Sequence, residues 1–230
     1  ELQKNTLVRG KYYAGPRGRL TRGWVTIGSD TYYFSYTNYA AVTGWRRIGG
    51  KVYCFNTDGT LKKMTGLVKN GSNRYYYDPA SGEMTTGWVH YGVNDYYFST
   101  RTGRAVTGWQ TIGGKEYFFN KYGQLAKNRM VGRTYYVNDK GEKVYGWYTN
   151  GDKTYYLDTK TGEAVKNGWH TIDGKRYYFN ADGTLARGTW INDSQYLDEN
   201  GSYAVGWKEI DGKKYYFSKV NYKKVTGWKR

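Results

Sequence analysis

The 230-residue chain has one cysteine and two prolines. One cysteine excludes an internal disulfide, and two prolines exclude a proline-rich linker. Hydrophobic residues make up 38% of the chain and aromatics 19%, so half of the apolar content is rings and a single large aliphatic core is not expected. No apolar run approaches the roughly 18 residues of a membrane-spanning helix. Disorder is not expected either, because disordered chains are poor in aromatics and this one has 28 Tyr, 9 Trp and 7 Phe. The sequence opens at Glu1 in polar residues with no signal-peptide pattern, as a mature or excised chain does.

Acidic residues are in the minority. Against 36 Lys+Arg stand 19 Asp+Glu, a formal net charge of +17. Such a charge suits a polyanionic partner: nucleic acid, anionic lipid or an anionic wall polymer. It equally serves to solvate an exposed β surface and blunt strand edges. The basic residues are spread along the chain, which leaves both readings open.

What the sequence has in abundance is repetition. Gly-Trp recurs at Gly23-Trp24, Gly44-Trp45, Gly87-Trp88, Gly108-Trp109, Gly146-Trp147, Gly168-Trp169, Gly206-Trp207 and Gly227-Trp228. In all but the last, a Tyr follows eight places after the Trp, from Tyr32 after Trp24 to Tyr215 after Trp207. Leu67 replaces Trp in one further unit, which reaches Tyr75. Three units are shorter, with a spacing of five: Leu7 to Tyr12, Met130 to Tyr135 and Trp190 to Gln195. Eight long units, three short ones and a terminal Gly-Trp predict one continuous array over residues 1–230.

Each unit reads as a β-hairpin. Gly49-Gly50, Asp173-Gly174 and Asp211-Gly212 sit between β-rich runs, the pattern of a two-residue primed turn. A second turn follows each hairpin, as in Asn56-Thr57-Asp58-Gly59 and Asn180-Ala181-Asp182-Gly183. A unit of about 21 residues cannot bury a core alone, so stacking is expected. The predicted fold is all-β, a β-solenoid of about eleven stacked hairpins.

Alternation assigns the faces. A two-residue turn puts each Trp opposite the residue nine places on: Trp24 and Tyr33, Trp88 and Tyr97, Trp109 and Phe118, Trp147 and Tyr156, Trp169 and Tyr178, Trp207 and Tyr216. These twelve are the candidate ligand-binding residues. The opposite face, with Ile27, Tyr32 and Phe34 or Ile172, Tyr177 and Phe179, is more aliphatic and is the candidate core. The competing reading makes each Gly-Trp mainly a packing element, because a large ring buries much area.

The pattern Gly-Trp, then Tyr-Tyr-Phe-Asn, Asp-Gly and Gly-Trp resembles the cell-wall-binding repeats of Gram-positive bacteria. That family comprises choline-binding repeats, glucan-binding repeats and the C-terminal repeats of clostridial toxins. The resemblance implies a hairpin solenoid, ligands held by rings between consecutive hairpins, and a non-catalytic module tethering a secreted enzyme or surface protein to the wall. Choline-binding repeats place a further aromatic seven residues after the Gly-Trp ring. Here that place holds Thr31, Val52, Arg74, Asp95, Glu116, Thr154, Arg176 and Lys214. None is aromatic and three are cationic, so the usual quaternary-ammonium cage is missing within each unit. A Trp–Tyr platform with polar edges suits a sugar ring. The expected partner is therefore a polysaccharide, either a glucan or an anionic wall polymer such as teichoic acid. Choline binding and a ligand-free spacer are the alternatives, and nucleic-acid and membrane partners are not expected. The implied localisation is extracellular and wall-associated.

Other motifs add little. His90 and His170 lack the Cys or spaced carboxylates of a metal site. Asp58, Asp139, Asp173, Asp182 and Asp211 fall in turns, where turn chemistry accounts for them. No catalytic residue, metal or cofactor is expected. Cys54 takes a ring position opposite Trp45 and reads as an inert substitution.

Overall fold

A computed structural model describes residues 3–227. Among these the structure is all strand, turn and loop, without a helix. Eight hairpins pair five-residue strands: Gly23–Ile27 with Asp30–Phe34, Gly44–Ile48 with Lys51–Phe55, Gly66–Asn70 with Asn73–Tyr77, Gly87–Tyr91 with Asn94–Phe98, Gly108–Ile112 with Lys115–Phe119, Gly146–Asn150 with Lys153–Leu157, Gly168–Ile172 with Lys175–Phe179, and Gly206–Ile210 with Lys213–Phe217. Three are shorter: Thr6–Val8 with Tyr12–Ala14, Arg129–Val131 with Tyr135–Val137, and Thr189–Asn192 with Gln195–Leu197. A two-residue strand, Met84–Thr85, adds to the third long hairpin. These are the eleven units of the sequence pattern. The terminal Trp228 lies outside the described residues.

The chain forms two compact units, one of the residues up to Gln110 with Phe119–Leu125, the other of Thr111–Phe118 with the residues from Ala126 onward. Within each, one backbone bond recurs between successive hairpins. The N–H of a residue in the turn after one hairpin donates to a carbonyl on, or just before, the second strand of the hairpin before, as Leu61 to Thr31 at 2.7 Å and Ala105 to Arg74 at 2.8 Å. The second unit repeats it, as Ala164 to Thr134 at 2.6 Å and Leu185 to Thr154 at 2.7 Å. Each unit is thus a length of β-solenoid.

Register fixes the core. Gly23 pairs with Phe34, Gly87 with Phe98, Gly168 with Phe179 and Gly206 with Phe217. Each of these Phe rings is fully covered, as are Leu157 and Leu197. Tyr32, Tyr75, Tyr96 and Tyr155 on the same face are also buried.

Candidate ligand-binding site

The other face is more open, because alternation turns each Trp ring away from the buried face of its own hairpin. Trp24, Trp88 and Trp147 are exposed, and Trp207 reaches 72% exposure. The register pairs Trp24 with Tyr33, Trp88 with Tyr97, Trp147 with Tyr156, Trp169 with Tyr178 and Trp207 with Tyr216. In each pair the rings meet edge to face, with centroids 5.0–5.3 Å apart, a preferred aromatic geometry. Trp109 and Phe118 are both half-buried.

A third ring joins from the next hairpin. Tyr53 lies 4.9 Å from Trp24 at 69°, and Tyr177 lies 4.8 Å from Trp147 at 70°. Tyr215 meets Trp190 in the same way, at 5.2 Å and 78°. A Phe of that next hairpin floors each corner: Phe55, Phe179 and Phe217, at 5.9, 6.0 and 5.7 Å from the respective indoles. The two-ring platform expected from the sequence is therefore a three-ring corner at these positions. The added Tyr stands 29 residues after Trp24, 30 after Trp147 and 25 after Trp190. Only the stacking offset between unequal units could have disclosed it.

The corner at Trp147 opens into a cleft of about 280 Å³ lined by Trp147, Thr154, Tyr177, Leu185, Arg187, Glu199 and Asn200. Thr154 occupies the place where choline-binding repeats carry an aromatic, and its small side chain leaves room. Arg187 is turned to the carbonyl of Asp152, which accepts from its guanidinium. At Trp24 the corresponding residues are Thr31, Tyr53 and Leu61, so both positions share Trp, Thr, Tyr and Leu.

Trp45 and Trp169 are closed differently. Trp45 stacks on Tyr75 at 6.1 Å and packs against a cluster of Val52, Tyr75 and Tyr77 with Met84. Trp169 is covered by Tyr203 at 4.5 Å, and the Arg176 guanidinium lies 5.0 Å over its ring. Trp207 remains a flat platform beside Lys208, Glu209 and Lys214, in an open cleft of about 510 Å³.

Turn carboxylates are held by their own loops. Asp58 accepts from the Thr60 hydroxyl at 2.6 Å and amide at 2.9 Å, which holds its carboxyl below the usual range. Asp182 is held the same way by Thr184, and Asp78 and Asp158 by Ser81 and Thr161. Glu116 is lowered by the Tyr145 hydroxyl that donates to it, and further by Lys143 at 3.2 Å. His90 pairs with Asp95 at 2.7 Å, while His170 is half-buried with its Nε2 2.9 Å from the Lys166 carbonyl. No group of His, Cys, Asp or Glu among the described residues could hold a metal ion.

Hairpins stacked within each unit, with rings on one face of each hairpin, define a repeat-built binding module. The choline-binding repeat model matches residues 42–87, 106–137, 129–169 and 166–205, and a cell wall binding repeat model matches residues 23–38 and 205–219. The chain belongs to the choline-binding repeat family of cell-wall-binding repeats. It is similar to choline binding protein F of Streptococcus pneumoniae at 29% identity over 84% of this chain and 74% of that one, with a TM-score of 0.63. CbpJ of Streptococcus pneumoniae TIGR4 matches at 22% identity over 95% of this chain and 92% of that one, with a TM-score of 0.61. The choline-binding domain of CbpL from the same species matches at 23% identity over 80% and 97%, with a TM-score of 0.57. The last two bear on the fold alone. No curated protein matches the chain.

Proposed function

We propose that this wall-binding module carries no catalysis of its own and holds a choline-substituted wall polymer on its Trp–Tyr face. Quaternary ammonium groups are taken at two equivalent corners, one of Trp24, Tyr33 and Tyr53 and one of Trp147, Tyr156 and Tyr177. The observation that carries this reading is the third ring, which supplies across the stack what each hairpin lacks by itself. An exposed cation–π contact contributes about 0.5–1 kcal/mol, so three rings give about 1.5–3 kcal/mol. With burial of the ligand's methyl groups each corner binds weakly, at roughly millimolar affinity, where the binding free energy is about 4 kcal/mol. Useful retention then comes from several corners engaging one polymer. Extracellular attachment to a Gram-positive wall follows from this reading.

Trp207 supports a second ligand chemistry. Its exposed indole, met edge to face by Tyr216, offers one flat ring face, with Lys214 where an aromatic would be. A cation there repels choline, whereas a sugar can stack its C–H face on the indole and bond to Lys208 or Glu209. The glycan backbone of the polymer, or a neutral glucan, fits that platform.

Calorimetric titration with choline chloride tests the main reading. Saturable binding at low millimolar choline is expected, reduced in Trp147→Ala and in Trp24→Ala and reduced further when both are combined. Retention on purified choline-bearing walls should be reversed by free choline. Absence of saturable choline binding, with retention on neutral glucan instead, would overturn the reading.

A further inference from the structure

The bond from Leu61 to Thr31 and from Leu185 to Thr154 sets one residue beside each open corner. Lys224 makes the same bond, its N–H donating to the Ser194 carbonyl at 2.6 Å. The corner it reaches is built like the other two. Trp190 meets Tyr196 at 5.3 Å and 69°, and Tyr215 of the next hairpin at 5.2 Å. What differs is the residue delivered, a lysine in place of leucine. Its ammonium lies 5.3 Å over the Trp190 ring and 5.7 Å over the Tyr215 ring.

We infer that Lys224 is a built-in cation that takes the ring faces of the Trp190 corner, so that the cleft of about 560 Å³ left there, lined by Trp190, Asn192, Asp193, Tyr215 and Lys224, disfavours quaternary ammonium ligands. The inference rests on the ring-corner reading proposed above, and it makes residue 224 and its equivalents, Leu61 and Leu185, the specificity-determining positions. The physical case has two parts. A side chain tethered beside its rings has an effective concentration in the millimolar range or above, so a free ligand must displace it before binding. A second cation brought into the same corner also meets like-charge repulsion.

Lys143 shows the device again. Its N–H donates to the Glu116 carbonyl at 2.8 Å. Its ammonium lies 4.5 Å over Tyr135 and 5.3 Å over Tyr145, with the Glu116 carboxylate at 3.2 Å. The lysine side chain there is only 10% exposed, so it is packed into place rather than free in solvent. Two lysines delivered by the same backbone bond onto rings make a repeated device.

The test uses the whole chain and choline chloride as probe. Binding stoichiometry is measured for the wild type, Lys224→Leu and Leu185→Lys, with near-UV circular dichroism to confirm folding and Lys224→Gln as a second opening variant. Lys224→Leu should gain one equivalent of choline and Leu185→Lys should lose one. Independently of any ligand, the ε-methylene protons of Lys224 should resonate upfield of those of exposed lysines, through ring currents, and return on Trp190→Leu. Unshifted ε-methylene protons overturn the inference and leave the reading of the Trp24 and Trp147 corners standing. So does an unchanged stoichiometry in either substitution when the wild type binds choline. A wild type that binds no choline overturns that reading instead. The inference about Lys224 is then carried by the upfield shift together with one equivalent gained in Lys224→Leu, and overturned if none is gained.

Discussion

Phe179 is fully covered and faces Gly168 across its hairpin. Truncating it to alanine should cost about 3–5 kcal/mol, read as a lowered urea midpoint. Tyr77 is buried with its hydroxyl donating to the Val52 carbonyl at 2.8 Å. Tyr77→Phe should cost about 1 kcal/mol, because the carbonyl loses a partner while the ring still packs. Burial raises the ionisation of Tyr77 and, more modestly, of Tyr155 above the ordinary range. A raised phenol contributes stability that is complete below its unfolded value and lost as pH climbs past about 10. The depressed carboxyls of Asp58, Asp78, Asp158 and Asp182 act oppositely, contributing above about pH 4 and losing that contribution as pH falls below it. Urea midpoints measured from pH 2 to 12 should therefore form a plateau with both shoulders, and Tyr77→Phe should soften the alkaline one. At this scale the sequence discloses the Trp–Tyr pairs, because a two-residue turn and period-two alternation determine them. It does not disclose Tyr53, Tyr177, Tyr215 or Lys224 as their neighbours, because those depend on how far one hairpin is displaced along the next.

The hairpin turns show why so many glycines recur. Gly49 and Gly50 both have positive φ, 56° and 81°, as a primed turn requires. A Cβ on Gly50 would meet nothing within 4 Å, whereas a Cβ on Gly59 would come 2.8 Å from that of Ala41. Gly50→Ala should then cost only the left-handed backbone strain, about 1–2 kcal/mol. Gly59→Ala should cost that plus about 1–3 kcal/mol of overpacking. Equal thermal shifts for the two would show that the contact between hairpins yields easily. Element existence, length class and turn position were all legible, since Trp-to-Tyr spacings of eight and five separate strands of five residues from shorter ones; the register irregularity at Trp190–Asn192, which makes that strand four residues long, was not. The short strand Met84–Thr85 was not, because it exists only as an addition to a hairpin already formed. The division into two compact units has no local marker either, since the Gly-Trp, turn and Tyr pattern runs through Trp109 to Phe119 unaltered.

On the function proposed above, weak corners become useful over the whole molecule only together. A choline-bearing polymer should bind about 10²–10⁴-fold more tightly than free choline, as linked sites do. Equal affinity for both would count against polymer binding through several corners. The +17 charge adds a second, separable dependence. Exposed charges are screened over about 10 Å at 0.1 M salt, so retention on an anionic wall polymer should fall as salt rises, while free choline affinity, set by ring contacts, changes little. Salt-insensitive retention would leave the basic residues as solvating surface. The bonds from Leu61 to Thr31 and from Leu185 to Thr154 also impose a direction in time. In each, the donor comes later in the chain than the acceptor. A polypeptide delivered N-terminus first, as during synthesis, finds the preceding hairpin already made whenever a new donor arrives. Construction can thus advance rung by rung behind the growing end, with the newest hairpin as the template for the next.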